Sequence, residues 1–254
     1  MNPVLYVAWR SGSSDHGKWG PVGRLEHGPH GYRFAYTRGA RTLPGFPPFT
    51  GMPDLEEVYE SEQLFPLFAN RLLSRSRPEY EAFLQWGAFD PNDPPDPLAI
   101  LAVTEGRRET DAIEVFPSPI RDDLGRYAAK FFLHGLRWMT PGAIDRIGTL
   151  SPGEALALQL ENENPSDEHA VAVYTTSGPV KIGYIPRYLA RDVRESWDKC
   201  GAESIQITLQ KVNPAAPIQH RVLCCLNSCW PEDFDPCNRE EFQLIPSGML
   251  ALPA

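Results

Sequence analysis

The sequence predicts a mostly β, α+β chain: a small sheet with two helices in the first half, then a small β-barrel carrying one helix. Three observations predict it. Short apolar runs recur with Gly, Pro, Asn and Asp between them, the pattern of strands rather than long helices. Proline is abundant at 26 of 254 residues, roughly twice ordinary usage, and proline stops helices and central strands. Helical spacing is confined to a few places, the clearest being residues 187–199.

Residues 4–9 alternate and read as a first strand. Residues 22–26 and 32–36 follow as two more, separated by His27-Gly28-Pro29-His30-Gly31. Residues 43–53 are too rich in Pro and Gly for regular structure. Pro66 suits a first helical turn, and Leu67, Phe68, Leu72 and Leu73 follow at helical spacing. Pro78 opens a second helix through Tyr80, Phe83, Leu84 and Trp86. After the break at residues 90–97, residues 100–104 and 113–116 are expected to form a hairpin returning to the first sheet. The second half reads as strands at 131–138, 155–161, 170–175, 180–185, 205–212 and 221–226. Helix 187–199 places Leu189, Val193 and Trp197 four residues apart. Strands closing on themselves with one helix suggest a small barrel. The expected organisation is a first domain at 1–117, a linker at 118–126, a barrel domain at 127–230 and an extension at 231–254.

Composition narrows the function classes. The longest apolar stretch, residues 98–103, falls far short of the roughly 20 residues that span a bilayer. The N-terminus has neither a basic region nor a cleavable apolar one. A cytoplasmic protein with reduced thiols is therefore expected. Net charge is −9, which argues against nonspecific coating of nucleic acid. The charge is uneven: residues 1–126 carry 13 basic and 18 acidic groups, and residues 127–212 carry 9 and 10. The near-neutral middle leaves room for a local basic face.

Gly12-Ser13-Ser14-Asp15-His16-Gly17-Lys18 has phosphate-loop spacing, but Trp19 stands where Ser or Thr should hold a metal. Gly20, Pro21 and Gly23 replace the required helix. A hairpin loop is the better reading. No His-Glu-x-x-His, Gly-x-Ser-x-Gly or Gly-x-Gly-x-x-Gly occurs. The six histidines are scattered, and a noncatalytic protein without cofactor is expected. Cys224, Cys225, Cys229 and Cys237 lack paired Cys-x-x-Cys spacing. Adjacent strand residues point to opposite faces, so Cys224 and Cys225 would not easily share a metal. Buried thiols are the preferred reading, with Cys200 alone.

The informative stretch runs Asn164-Pro165-Ser166-Asp167-Glu168-His169-Ala170-Val171-Ala172-Val173, then Lys181-Ile182-Gly183-Tyr184-Ile185-Pro186-Arg187. Asn-Pro starts a tight turn. Asp167 can bond the backbone of that turn, or its carboxylate can point outward as an acceptor. Gly183 permits close approach of backbone beside Tyr184. Upstream, Gly135-Leu136-Arg137-Trp138 sets a guanidinium next to a large aromatic at an expected strand end.

These motifs, in this order, resemble the HIRAN domain over residues 127–212. That family occurs at the N-terminus of certain DNA-remodelling helicases and in standalone bacterial proteins. The resemblance implies an OB-type barrel that captures the 3′-hydroxyl end of single-stranded DNA. It implies that Arg137 and Trp138 grip and stack the terminal nucleotides, and that Asn164 and Asp167 line the place of the terminal sugar. Tyr184 would pack against the nucleotide; Arg187, with Lys181, would meet the phosphates. Two positions depart from the end-binding pattern. Met139 stands where a second aromatic is usual, and Ser166 replaces the aromatic of the N-P-Y-D form. Both remove stacking surface, while Glu163 and Glu168 add repulsion. The competing reading is that N-P-x-D and G-Y-I-P merely hold the barrel.

Residues 4–86 carry a second resemblance. Val22-Gly23-Arg24-Leu25, Tyr32-Arg33-Phe34-Ala35-Tyr36 and Leu67-Phe68-Ala69-Asn70-Arg71-Leu72-Leu73 are similar to the N-terminal subdomain of HipA-type kinases. No kinase core follows. A freestanding copy of that subdomain serves as an antitoxin, which supplies the alternative function: an interaction module for a HipA-like kinase, with Arg71, Arg75 and Arg77 as a contact patch and the barrel structural. The first expectation remains a noncatalytic binder of single-stranded DNA 3′ ends, acting in repair or as an adaptor for a helicase or nuclease.

Overall fold

The computed structural model describes residues 3–12, 18–108 and 111–245. The chain forms two compact units: Met1–Tyr80 with Pro95–Ser118 and Asp235–Ala254, and Glu81–Pro94 with Pro119–Phe234.

The first unit is built on strands β1 (Leu5–Arg10), β2 (Trp19–Gly28) and β3 (Gly31–Tyr36), followed by the helical turn α1 (Gly39–Thr42), strand β4 (Val58–Ser61) and the single turn α2 (Pro66–Ala69). Helix α3 (Tyr80–Trp86) comes next and lies almost wholly in the other unit. Helix α4 (Pro97–Thr104) and strand β5 (Ile113–Pro117) complete the first unit. Its sheet is antiparallel with order β4-β3-β2-β1-β5. Leu5, Val7, Val22, Leu25 and Phe34 form one buried cluster with Phe68, Leu98 and Leu101. The segment with phosphate-loop spacing connects β1 to β2, closed by Ser11 N donating to Lys18 O at 2.8 Å. Residues 13–17 within it lie outside the described residues.

Three expectations for this half are corrected. Residues 100–104 are helix, not strand. Their β-branched side chains suggest a strand, but Asp96 caps the helix by accepting from Leu98 N at 2.8 Å, and Pro97 sits at its first position. Burial on nearly every side then removes the periodicity a surface helix would show. The helix expected through Leu73 stops at Ala69. Arg71 is not a surface contact: its side chain is 1% exposed and is paired with Asp111 at 2.7 Å. It also donates to Gly106 O at 2.8 Å.

The second unit holds β6 (Arg126–Phe132), α5 (Pro141–Gly148), β7 (Ala155–Leu160), β8 (Val171–Thr175), β9 (Lys181–Tyr184), α6 (Arg187–Cys200), β10 (Gln206–Val212) and β11 (Val222–Cys229). Its antiparallel sheet has order β6-β11-β10-β7-β8-β9 and curls into a half-barrel. Beyond β6, His134 N donates to Tyr184 O at 2.9 Å and Tyr184 N to His134 O at 3.0 Å. This bridge draws the two edge strands together at one end. The inner face carries Phe131, Leu156, Val171, Val173, Ile182, Ile207 and Leu226; α6 covers it with Leu189, Ala190 and Val193. Nearly all of α3 belongs here: Asn213 Nδ2 donates to Trp86 O at 3.0 Å, and the His220 ring stacks on Trp86 at 6.0 Å.

The strand expected at 131–138 ends at Phe132, and Arg137 and Trp138 lie in a 3-10 turn, Leu136–Trp138. Helix α5 has no counterpart in the sequence expectations; Thr140 caps it and Pro141 opens it. The thiols are also corrected. Cys200, at the end of α6, forms a disulfide with Cys229, at the end of β11. Cys224 is buried and Cys225 half-buried; burial pushes both thiols up.

Candidate nucleic-acid interface

The expected site residues come from the turn after β6, the loop after β7, strand β9 and the start of α6, at the joined end of the curled sheet. Gly135 makes the first possible. Its φ of +74° turns the chain out of the β6 extension, and a Cβ there would lie 2.8 Å from Cδ2 of Tyr184. Only glycine lets the 3-10 turn sit against that ring. Gly183 plays the matching part from the other side, at φ +155°, where a Cβ would meet His134 O at 2.9 Å. The turn thus sits beside Tyr184, presenting Trp138 at 66% exposure. The Arg137 guanidinium lies over the Trp138 indole at 5.0 Å.

Tyr184 belongs to a polar network. Its hydroxyl donates to Glu161 Oε2 at 3.1 Å, and Asn164 Nδ2 donates to the same oxygen at 3.0 Å. Lys181 Nζ donates to Glu161 Oε1 at 2.8 Å and to the Tyr184 oxygen at 3.1 Å. Burial pushes the Glu161 carboxyl up, but the bonds from Lys181, Asn164 and Tyr184 outweigh it and hold the group below its ordinary range. The bond to Glu161 in turn raises the Lys181 ammonium. Both groups are ionised at neutral pH.

The N-P-x-D turn is the third element. Asn164 Oδ1 accepts from Ser166 N at 3.0 Å and Asp167 N at 3.3 Å. Of the two roles open to Asp167, the structure shows the turn-holding one, and its second oxygen is turned to Arg187 rather than outward. Oδ1 accepts from His169 N at 3.0 Å, holding the turn. Oδ2 faces Arg187 Nε at 3.2 Å, tying the turn to the start of α6. Arg187 also donates to Ser166 O. Arg194, further along α6, secures the same loop through His169 O at 2.8 Å and Ala170 O at 2.9 Å. Burial, then the nearby Arg191 charge, lowers the His169 imidazole below its ordinary value, so that ring is neutral at pH 7.

The motif segment matches the model for the HIRAN domain. The match spans residues 127–224. Two solved structures are similar. One is a protein from Lactobacillus plantarum, 21% identical, covering 41% of this chain and 99% of its own, with a TM-score of 0.30. The other is the HIRAN domain of human HLTF, 19% identical, covering 44% of this chain and 84% of its own, with a TM-score of 0.29. No curated protein matches.

Within the HIRAN segment, the structure brings Lys181 and Tyr184 into direct contact, and Asp167 with Arg187. Asn164 joins both groups through its two amide atoms. Arg137 and Trp138 form a separate stacked pair beside them. Sequence reasoning missed the part played by Glu161 and read Gly135 as part of its motif without the positioning role it has here. Glu161 follows an alternating strand as one more solvent-facing acid. What places it is register: Leu160 pairs Val171 and Ala172 pairs Tyr184, which carries the end of β7 across β8 toward β9. Among the described residues, no group of His, Cys, Asp and Glu is arranged to hold a metal ion. No described helix is long and apolar enough to cross a membrane.

Proposed function

We propose that this protein binds single-stranded DNA through its HIRAN segment, taking the strand at its 3′ end, and acts without catalysis. One observation carries the reading. Trp138 holds a large ring mostly in solvent, on a turn fixed by Gly135, with the Arg137 guanidinium against it. A mostly exposed indole of this kind is a stacking platform for a base, worth about 1–3 kcal/mol per base without regard to sequence. Arg137 supplies a cation for the adjoining phosphate. Asn164, Asp167 and Arg187 form a tied loop beside Tyr184, shaped to border a terminal sugar, and Lys181 completes the margin. The role at the level of the cell is that of an adaptor in genome maintenance.

The test is fluorescence anisotropy with short labelled single strands at moderate salt, against blunt duplex of the same sequence. Single strands are expected to bind tighter. Trp138→Ala is expected to weaken that binding about 5- to 140-fold, the equivalent of one lost stack, with an unchanged thermal melt. Equal affinity of wild type and variant would refute the assignment of Trp138.

A further inference from the structure

Lys181, which touches Tyr184, and Arg187, at the start of α6, are both already matched by carboxylates of the same chain. Lys181 is held by Glu161 at 2.8 Å and Arg187 by Asp167 at 3.2 Å. Neither pair lies open on the surface: the side-chain exposures are 34% and 19% for Lys181 and Glu161, and 21% and 18% for Arg187 and Asp167. Glu161 is the more fully engaged carboxylate, since three side chains converge on its two oxygens. Two more acids, Glu163 and Glu168, stand exposed on the same loop. A site made for phosphate would leave its cations unmatched. This one matches them beside the ring that would carry the last nucleotide.

We infer that Glu161 is the residue that sets which strand end the site accepts: as the fixed counter-ion of Lys181 it excludes a terminal phosphate and admits a terminal hydroxyl. The inference rests on the strand-end reading above and names its discriminating group. The physical basis is direct. A terminal phosphate brought to Tyr184 meets an ionised carboxylate whose cation is already engaged. A hydroxyl carries no charge to repel and can accept from the Lys181 ammonium. Glu161 acts on the ligand through Lys181 and Tyr184, so it is a positioning residue.

Glu161→Gln is the decisive variant. The amide oxygen still accepts from Tyr184 and Asn164, while the charge is gone and the Lys181 ammonium turns to the ligand. Matched single strands ending in 3′-hydroxyl and 3′-phosphate are titrated against the whole chain over a range of salt. Wild type is expected to prefer the hydroxyl end at least tenfold. In Glu161→Gln that preference should collapse to within about twofold. Binding of the phosphate end should become steeper in salt by about 0.7 in the log–log slope, one added phosphate contact. A merely structural role would weaken both ends alike and leave the slope unchanged. Adding Lys181→Met to Glu161→Gln should reverse the gain for the phosphate end. Lys181→Met alone should widen the wild-type preference, which keeps the test decisive if the Gln variant folds poorly.

The outcomes separate. Wild type that binds neither strand refutes DNA binding, and the inference with it. Wild type that binds both ends equally leaves DNA binding standing and overturns the role of Glu161. So does a preference that survives Glu161→Gln, or a phosphate gain that persists without Lys181.

Discussion

The Cys200–Cys229 disulfide joins the last residue of α6 to the last residue of β11 across 29 positions of sequence. Helix α6 also begins at Arg187, the residue that secures the N-P-x-D turn, so the bridge anchors the far end of the helix on which the site is built. Reducing the bridge, or replacing Cys200 by Ser, returns the entropy of a loop of about 30 residues to the unfolded chain, worth about 3.5 kcal/mol. For a unit of this size that corresponds to a fall in melting temperature on the order of 10 °C. Calorimetry with and without reductant reads the change. Hydrogen exchange should place it in α6 and β11 and leave the first unit's sheet unaffected. Thiol titration in denaturant without reductant should find three titrating thiols, those of Cys224, Cys225 and Cys237, which lie outside the bridge. Five titrating thiols, or a melt indifferent to reductant, would refute the bridge and the anchoring argument together. Such a bridge departs from the expectation of a wholly reduced chain.

Two further predictions concern the site. Gly135→Ala forces a Cβ into an αL conformation and against the Tyr184 ring, and is expected to destabilise the second unit by about 1–3 kcal/mol, read by urea denaturation. Glu161 titrates below its ordinary value of 4.5 in the folded chain. Because the folded value is depressed, the stability it contributes is complete above the unfolded value and is lost as pH falls through the folded one. Lys181 is raised above 10.5, so its share is present below that value and is lost only as pH rises through the folded one. The pair should therefore hold across the neutral range, opening in acid as Glu161 protonates and in strong base as Lys181 loses its proton; the acid limb is measurable as a Glu161 carboxyl chemical shift that moves below pH 4.5.

The strands of the second unit were legible because each buries alternate positions on one curled face, the period a sequence displays most openly. Helix α6 was legible for the same reason at its own period: Leu189 and Val193 are buried while Arg191 and Asp198 are exposed. Helix α4 was not. Its residues are buried from Leu98 to Thr104 except Ala99, and an element covered almost all round has no polar face to mark its period. Only the Asp96-Pro97 start distinguishes it from a strand. The 3-10 turn at Leu136–Trp138 was hidden by the opposite problem. Leu136 and Trp138 continue the apolar character of the end of β6, which stops at Phe132, and the αL conformation of Gly135 then turns the chain.

The site was legible as a set of residue types but not as a set of charges. Lys181 and Arg187 read as cations available to phosphate when taken along the chain. In the fold each meets a carboxylate brought from another turn or strand: Glu161 lies 20 positions before Lys181, and Asp167 20 positions before Arg187. Pairings of that separation depend on how β7, β8 and β9 register, which no local pattern encodes. The near-neutral count for residues 127–212 was the only trace of it, and that count suited either a basic face set against an acidic one or cations matched one by one. The structure shows the second arrangement around Tyr184. A binder of this kind cannot draw its affinity chiefly from counter-ion release, as a strongly basic surface does. On the proposed function, the greater share comes from the exposed indole of Trp138, and the proposed role of Glu161 makes selectivity a matter of which terminal group the matched cations admit.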